Sequence, residues 1–403
     1  MFNLQRPHGV HHFLRTGSTL RSFSELQNQT GSRRTVLVRN LPQGYDINNV
    51  IGTIKANPVE AIIPGDDQLT VRFLSEELAR KCVKSDGGTD LGWSLVLDEE
   101  PSPKLNAYAV AAIGYSHLSR WMSLKNLPRD LREEDLRKHI VPQEAEYARF
   151  DPMEQQAHIG FLDIWQALRT RQNIFNYPYF REIGLTFEQR DKDEYLLPDW
   201  YPEEDIDQRN VKRAVLISNV ANIDIARPIR GWIRDLKLSG PHHVLFNSFY
   251  PKEKLIKTVF STSVSAREFV GKHISAAQEI GLKMSLKPQS KPLPLSTITA
   301  VDLGASPVVV LRLHRSQRCS IQEYLDAFNH TGGLKISEQF SEGLSHGLVY
   351  MTFNSVSDAM RCIVGFQKDD TLIGFEGSSM NFIGARQLVP FVKAFEGREP
   401  WKR

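Results

Sequence analysis

Apolar and polar side chains follow a clear order in the stretch His346-Gly347-Leu348-Val349-Tyr350-Met351-Thr352-Phe353. Read with period two, Val349, Met351 and Phe353 fall on one face of a strand, and Leu348 and Tyr350 on the other. After five intervening residues, Phe353 is followed by Ala359, which opens an apolar helical pattern through Cys362 and Ile363. One strand face therefore packs on that helix, and the other is expected to turn the Tyr350 ring toward open space.

The same pattern recurs three times upstream. Val36-Leu37-Val38-Arg39-Asn40-Leu41-Pro42 is a short β-branched run closed by a turn signal, and Asp46 is placed to cap a helix reaching about Lys55. Val59 to Ile63 and Gln68 to Phe73 predict two strands joined by the turn Pro64-Gly65-Asp66-Asp67. Ala79, Cys82 and Val83 continue a second helix, and Leu95 to Leu97 closes the unit. In the second copy, Met122 to Pro128 repeats the opening and Asp130-Leu131 the cap. Tyr147 to Phe150, Ala157 to Phe161 and Gly184 to Gln189 are its later strands. The third runs from Val215 to Val220 through the cap Asp224-Ile225 to Phe260, Ala266 and Lys283 to Lys287. The fourth opens with Val308 to Leu313, caps at Ser320-Ile321 and closes at Met380 to Ile383.

Phe73, Phe161, Phe260 and Phe353 are each followed, after five intervening residues, by alanine, at Ala79, Ala167, Ala266 and Ala359. They stand 88, 99 and 93 residues apart, too far for a solenoid repeat and suited to small domains. The predicted fold class is α+β, with tandem ferredoxin-like β-α-β-β-α-β units. Right-handed crossovers put both helices of each unit on one face of a four-stranded antiparallel sheet. The units are expected at residues 34–98, 119–190, 211–288 and 307–389. Residues 191–210 and 289–306 read as linkers, the first acidic and the second rich in Pro, Ser and Lys, with residues 390–403 as a tail. Tyr195, Leu196, Leu197, Trp200 and Tyr201 give the acidic linker a means of docking on a neighbour. The Ala/Tyr-rich stretch from Pro101 to Leu118 leaves room for direct packing of the first two units.

Composition adds limits. Of 403 residues, 41% are hydrophobic and 24% charged, ordinary values for globular domains, and the net charge of +3 says little about partners. No apolar run reaches the roughly 18 residues that span a bilayer. The three cysteines, Cys82, Cys319 and Cys362, have no close pair, which excludes a disulfide scaffold and a CxxC metal site and fits a reducing compartment. The first 40 residues hold six arginines, one acidic residue and no lysine. That composition fits a mitochondrial transit peptide, residues 1–33, and also a basic arm that touches nucleic acid. The N-terminal position and the lack of a secretory apolar core favour the transit peptide. The third copy, Val211 to Lys287, carries 13 Lys/Arg against 5 Asp/Glu, whereas Arg120 to Arg190 balances at 11 each.

These units resemble the RNA recognition motif family, whose first strand carries [ILV]-[FY]-[ILV]-x-N-L and whose third carries [RK]-G-[FY]-[GA]-[FY]-[ILV]-x-[FY]. The first motif falls on Val36 to Leu41, Met122 to Leu127 and Val215 to Val220, with Asn40, Asn126 and Asn219 in place. The second falls on His346 to Phe353 and, more loosely, on Glu154 to Phe161. The resemblance implies that bases of single-stranded RNA stack on outward rings while basic side chains meet phosphates. Its ring positions are mostly empty here. The first-strand position holds Leu37, Ser123, Leu216 and Val310. The third-strand positions hold Gln68 and Thr70, Gln156 and His158, Leu255 and Lys257, and Leu348 and Tyr350. An alternative register would make Phe161 a stacking ring, but its repeated spacing assigns it to the core.

The resemblance therefore implies RNA contacts at Tyr350 and His158, flanked by Leu348, Arg312, Lys125, Asn126 and Arg39. Charge adds Lys254 and Lys257 as phosphate contacts, with Arg227, Arg230, Arg234 and Lys237 on the first helix of copy three. No catalytic, metal or cofactor motif is present in the sequence. The expected protein is a non-enzymatic binder of single-stranded RNA in mitochondria, serving RNA processing, stability or translation, with other RNA-processing or translation proteins as further partners and without a membrane span. The competing expectations are a protein-interaction scaffold with aliphatic sheet faces, and a nuclear or cytoplasmic RNA-binding protein.

Overall fold

The computed structural model describes residues 32–54, 58–84, 92–103, 105–140, 145–176, 183–188, 197–207, 211–221, 228–229, 231–233, 244–289, 292–314, 335–339, 346–368 and 379–382. Four antiparallel sheets account for its strands. The first unit holds β1 (Thr35–Arg39), β2 (Val59–Pro64), β3 (Gln68–Phe73) and β4 (Ser94–Leu97), in the order β2-β3-β1-β4. The second holds β5 (Trp121–Lys125), β6 (Tyr147–Asp151), β7 (Gln156–Gly160) and β8 (Gly184–Glu188). The third holds β9 (Ala214–Ser218), β10 (Val244–Tyr250), β11 (Leu255–Phe260) and β12 (Lys283–Lys287). The fourth holds β13 (Val308–His314), β14 (Lys335–Gln339), β15 (His346–Thr352) and β16 (Ser379–Phe382). All four share one strand order, with the first and third strands central.

The repeat signature has a physical basis at each position. The four marker phenylalanines and the four alanines behind them are buried in the cores. Two residues after each phenylalanine stands a helix cap. Ser75, Asp163, Thr262 and Ser355 accept from the backbone N–H of Leu78, Gln166, Ser265 and Asp358 at 3.3, 2.7, 3.1 and 2.9 Å. They open α2 (Glu76–Lys84), α5 (Ile164–Asn176), α7 (Ser263–Glu279) and α9 (Val356–Lys368) respectively. Asn40, Asn126 and Asn219 have φ of 63°, 59° and 70°, a left-handed conformation that asparagine tolerates better than most residues. The turn lets the next residue, Leu41, Leu127 or Val220, donate to a carbonyl of the facing hairpin, at Asp67, Gln155 or Lys254. The hexamer asparagines thus serve the backbone.

Helix entry differs from expectation in the second unit. Asp46 caps α1 (Ile47–Thr53), accepting from Asn48 N–H at 2.9 Å. Asp130 does not cap its counterpart, because Pro128 to Leu131 is spent in a turn closed by a 3.1 Å hydrogen bond. α4 (Glu133–His139) instead begins after Arg132, whose N–H donates to Asp135 at 3.4 Å. Asp224-Ile225, Ser320-Ile321 and Lys55 lie outside the described residues.

A buried arginine precedes the first strand in three units: Arg34, Arg120 and Arg213. Arg34 donates to Glu60 at 2.6 Å and to the Phe73 carbonyl at 2.7 Å. Arg120 donates to Glu146 and, at 2.8 Å, to the Phe161 carbonyl. By strand register Glu60 and Glu146 are equivalent, and the third unit has Leu245 there. Burial lowers the pKa of Arg213, and the charges of Tyr201 and Asp205 in the acidic linker act against that shift. Asp205 also accepts from the Ser263 N–H and hydroxyl at 2.7 and 2.8 Å, holding the linker to the start of α7.

The three segments between units are not simple spacers. The stretch behind the first unit forms α3 (Ala107–Ser116), capped by Asn106 and buried along most of its length. The Pro/Ser/Lys-rich segment, expected as a linker, contains α8 (Leu295–Asp302), also largely buried. α3 lies between α8 and α9, so the hydrophobic core of the first, second and fourth units is continuous. The third unit keeps a core of its own around Phe260 and Phe269. The acidic linker docks as its apolar residues foretold. Tyr201 packs with Leu295 and Ile298, Trp200 donates to Asp302 at 3.0 Å, and Asp199 pairs with Lys81 of the first unit at 2.7 Å.

Units also join edge to edge, twice in the same way. Ile62 N–H on β2 donates to Leu162 O at 2.7 Å, and Asn247 N–H on β10 donates to Asn354 O at 2.8 Å. Each acceptor directly follows a marker phenylalanine, and each donor strand carries an irregularity at the matching point. The chain is thus built as two like pairs, units one with two and three with four, each pair covering an exposed sheet edge. Gly114 marks the tightest helix packing, since a Cβ there would lie 2.2 Å from Met360 Sδ and 2.7 Å from Ala300 Cβ. Gly114→Val is expected to lower stability by about 1–3 kcal/mol through overpacking, measured by urea unfolding. An unchanged midpoint would contradict this packing.

Candidate nucleic-acid interface

Strand register lets the four outer sheet faces be compared row by row. The central row crosses the family's two inner ring positions. It reads Ile63-Thr70-Leu37-Val96 in the first unit and Arg149-His158-Ser123-Thr186 in the second. In the third it reads Ser248-Lys257-Leu216-Ser285, and in the fourth Ser337-Tyr350-Val310-Asn381. One topology therefore presents four chemistries: aliphatic, polar and cationic, cationic, and tyrosine-bearing.

The fourth face departs most from expectation. Tyr350 is only 7% exposed and packs with Val308 and Val310, and Leu348 is half-buried against them. Burial pushes the Tyr350 hydroxyl up to about 12. The prediction that this ring stands open for a base is corrected. Alternation assigned Tyr350 and Leu348 to the outer face correctly, but that face is covered. Arg312 pairs in register with Leu348 and Ser379, and its side chain lies outside the described residues.

The first face is open and has no ring. Ile63 and Val96 are 46% and 38% exposed, and Arg39 is exposed at its end between Gln68 and Ser94. Here the row is aliphatic on three strands, at Ile63, Leu37 and Val96, with Thr70 on β3 between them.

The second face carries the rings that family positions did not indicate. His158 is half-exposed, and its Nδ1 lies 2.9 Å from Glu188 Oε1, so it is tethered rather than free. Lys125 and Asn126 are exposed at the far end of β5. At the near end stand Trp121 and Tyr147, with ring centroids 5.9 Å apart and planes tilted by 45°. Gly160 lies between them in register. A Cβ on Gly160 would come within 3.0–3.3 Å of three Trp121 ring carbons, so the indole lies directly against the glycine and would have to give by a few tenths of an ångström to admit a side chain. Two signals mark these rings in the sequence: Trp121 directly follows Arg120, and Tyr147 directly follows Glu146, the residues of the repeated buried pair.

The third face is the most basic. Lys257 stands over the Phe246 ring at 5.9 Å, Tyr250 follows on the same strand face, and Lys283 and Lys287 line the opposite edge. Lys254, expected beside Lys257, is exposed in the hairpin turn with φ of 50°, off the face itself. Arg227, Arg230, Arg234 and Lys237 lie outside the described residues.

Among the described residues there is no group of three or more His, Cys, Asp or Glu side chains able to hold a metal, and no helix is long and apolar enough to cross a membrane. Cys82 and Cys362 are buried, and burial pushes both thiols up to about 12.

No family model matches the sequence, and no curated protein matches it. Solved structures similar to it include the N-terminal three RNA binding domains of the yeast splicing factor Prp24, at 14% identity over 64% of this chain and all of that one, with a TM-score of 0.20. RNA recognition domains 1 and 2 of Sex-lethal from Drosophila melanogaster match at 15% identity over 38% of this chain and 99% of theirs, with a TM-score of 0.15. The C. elegans NONO-1 homodimer matches at 12% identity over 63% and 97%, with a TM-score of 0.18. The fold itself, tandem four-stranded α+β units of the RRM-like kind, stands on the strand order and register described above.

Proposed function

We propose that this protein binds single-stranded RNA through the open sheet faces of its second and third units. The observation that carries the reading is the third face, where Phe246 and Tyr250 stand beside Lys257, Lys283 and Lys287. Rings at strand spacing accept bases, and the lysines neutralise the phosphates between them. The second face adds Arg149 and Lys125 as exposed cations around its rings. The first face favours a different occupant. Its aliphatic row of Ile63, Leu37 and Val96 suits a protein surface better than a base, so a scaffold role is the second reading for that unit.

Binding through these lysines is expected to depend on salt, with each phosphate contact adding about 0.7 to the slope of log affinity against log salt for a single strand. Reversing Lys257, Lys283 and Lys287 together to glutamate is expected to lower that slope by about 2 and to weaken binding to all sequences alike. Titrations of labelled RNA at several salt concentrations measure both, and an unchanged slope would overturn the role of this face. The arginine-rich, acid-poor N-terminus supports a mitochondrial site of action, in RNA processing, stability or translation. Residues 1–33 fused to a reporter are expected to carry it into isolated mitochondria in a potential-dependent way. A reporter left outside contradicts that placement.

A further inference from the structure

The RRM-like sheet of the second unit has no Phe, Tyr or Trp at the positions where this kind of fold is expected to stack bases, which hold Ser123, Gln156 and His158, the last tethered to Glu188. Its rings stand one row away, toward the start of β5 and onto the edge strand β6. That displaced row reads Tyr147-Gly160-Trp121-Glu188.

Three features show that the row is built rather than incidental. The buried pair of Arg120 and Glu146 joins the residues directly before Trp121 and Tyr147, so one ion pair fixes both ring-bearing strands. The Ser119 hydroxyl donates to the backbone carbonyls of Trp121 and Glu188, locking the start of β5 to the end of β8. The glycine at 160 leaves the strand between the rings without a side chain, which gives the indole a floor. Tyr147 is 37% exposed, so the rim of this row is open to a ligand. At its other end Glu188 sits opposite Trp121 in register, with its carboxylate held by His158 and partly open to solvent.

We propose that this displaced row is a base-binding site of single-stranded RNA, with one base stacked on Trp121 and a neighbour on Tyr147. A carboxylate beside a stacking ring accepts from an exocyclic amino group, as acidic side chains do from cytosine N4. Glu188 therefore selects a base that bears an amino group, such as cytosine, over uracil, which has none. Arg149, exposed on β6 in the next row, meets the adjoining phosphate. This inference rests on the RNA-binding reading above and goes further by naming the residues and the base class.

The test is a comparison of labelled ten-nucleotide oligocytidylate and oligouridylate by fluorescence anisotropy, using the full chain. Wild-type protein is expected to prefer oligocytidylate by about tenfold, the scale of one hydrogen bond to a charged group. Trp121→Ala and Tyr147→Ala should each weaken both RNAs, by about 5- to 150-fold for one stacked base. Trp121→Phe keeps a ring and should retain most of the affinity, which separates stacking from a folding defect. Glu188→Ala should erase the cytosine preference without weakening oligouridylate, and Ser123→Ala should change neither. Full affinity in folded Trp121→Ala and Tyr147→Ala variants, or equal wild-type affinity for the two RNAs, would overturn the site while leaving RNA binding intact. Absence of binding to either RNA at any salt would overturn the RNA-binding reading and the site with it.

Discussion

The structure depends on one helix that is apolar on nearly every side. α3 has no charged residue, and seven of its ten residues are buried, so it cannot sit on a surface as an ordinary amphipathic helix does. It has to be surrounded, and α8 and α9 surround it. A segment between two units thereby becomes core for a unit some 200 residues away. The first, second and fourth units cannot behave as beads on a string, because they share a single interior. The third is different, with its own core, and among the described residues it is tethered by the Asp205 contact to Ser263, the strand edge at Asn247 and the contact of Leu245 with the shared core.

The third unit also differs at one position of the repeated buried pair. Glu60 and Glu146 neutralise the buried arginine of their own units, at the cost of a polar edge. The third unit places Leu245 at the equivalent point, and Leu245 joins the shared core instead. Burial lowers the pKa of its Arg213, while the nearby charges of Tyr201 and Asp205, both in the linker, raise it. The linker is fastened at that point by the Asp205 contacts to Ser263. The acidic composition of residues 191–210 thus serves a contact as well as solubility.

Most of the fold was legible in the chain, for physical reasons. A phenylalanine at a strand end and an alanine one helical turn beyond the cap form a pair that any unit of this topology must bury, so the spacing survives where the rest has diverged. Period two placed Tyr350 on the outer face and Phe161 in the core. It could not tell that the outer face of the fourth unit is covered, because alternation reports which side a residue takes and not what lies over it. α8 lies in a Pro/Ser/Lys-rich segment that reads as a linker, and α3 in an Ala/Tyr-rich stretch that suggests packing without showing its helix, because neither carries the polar stripe that marks a surface helix. Trp121 and Tyr147 stand outside the ring positions of the family motifs, so those motifs do not point to them. The marker lay one residue behind each ring, in the charged pair that recurs from the first unit.

Under this account RNA meets the second and third sheets and leaves the fourth untouched. The most direct measurement is ultraviolet crosslinking of the full protein to photoreactive RNA, with the attached peptides identified by mass spectrometry. The account predicts crosslinks at Trp121, Tyr147, Phe246 and Tyr250 and none at Leu348 or Tyr350. Crosslinks concentrated on Tyr350, with the second and third faces unlabelled, would contradict it.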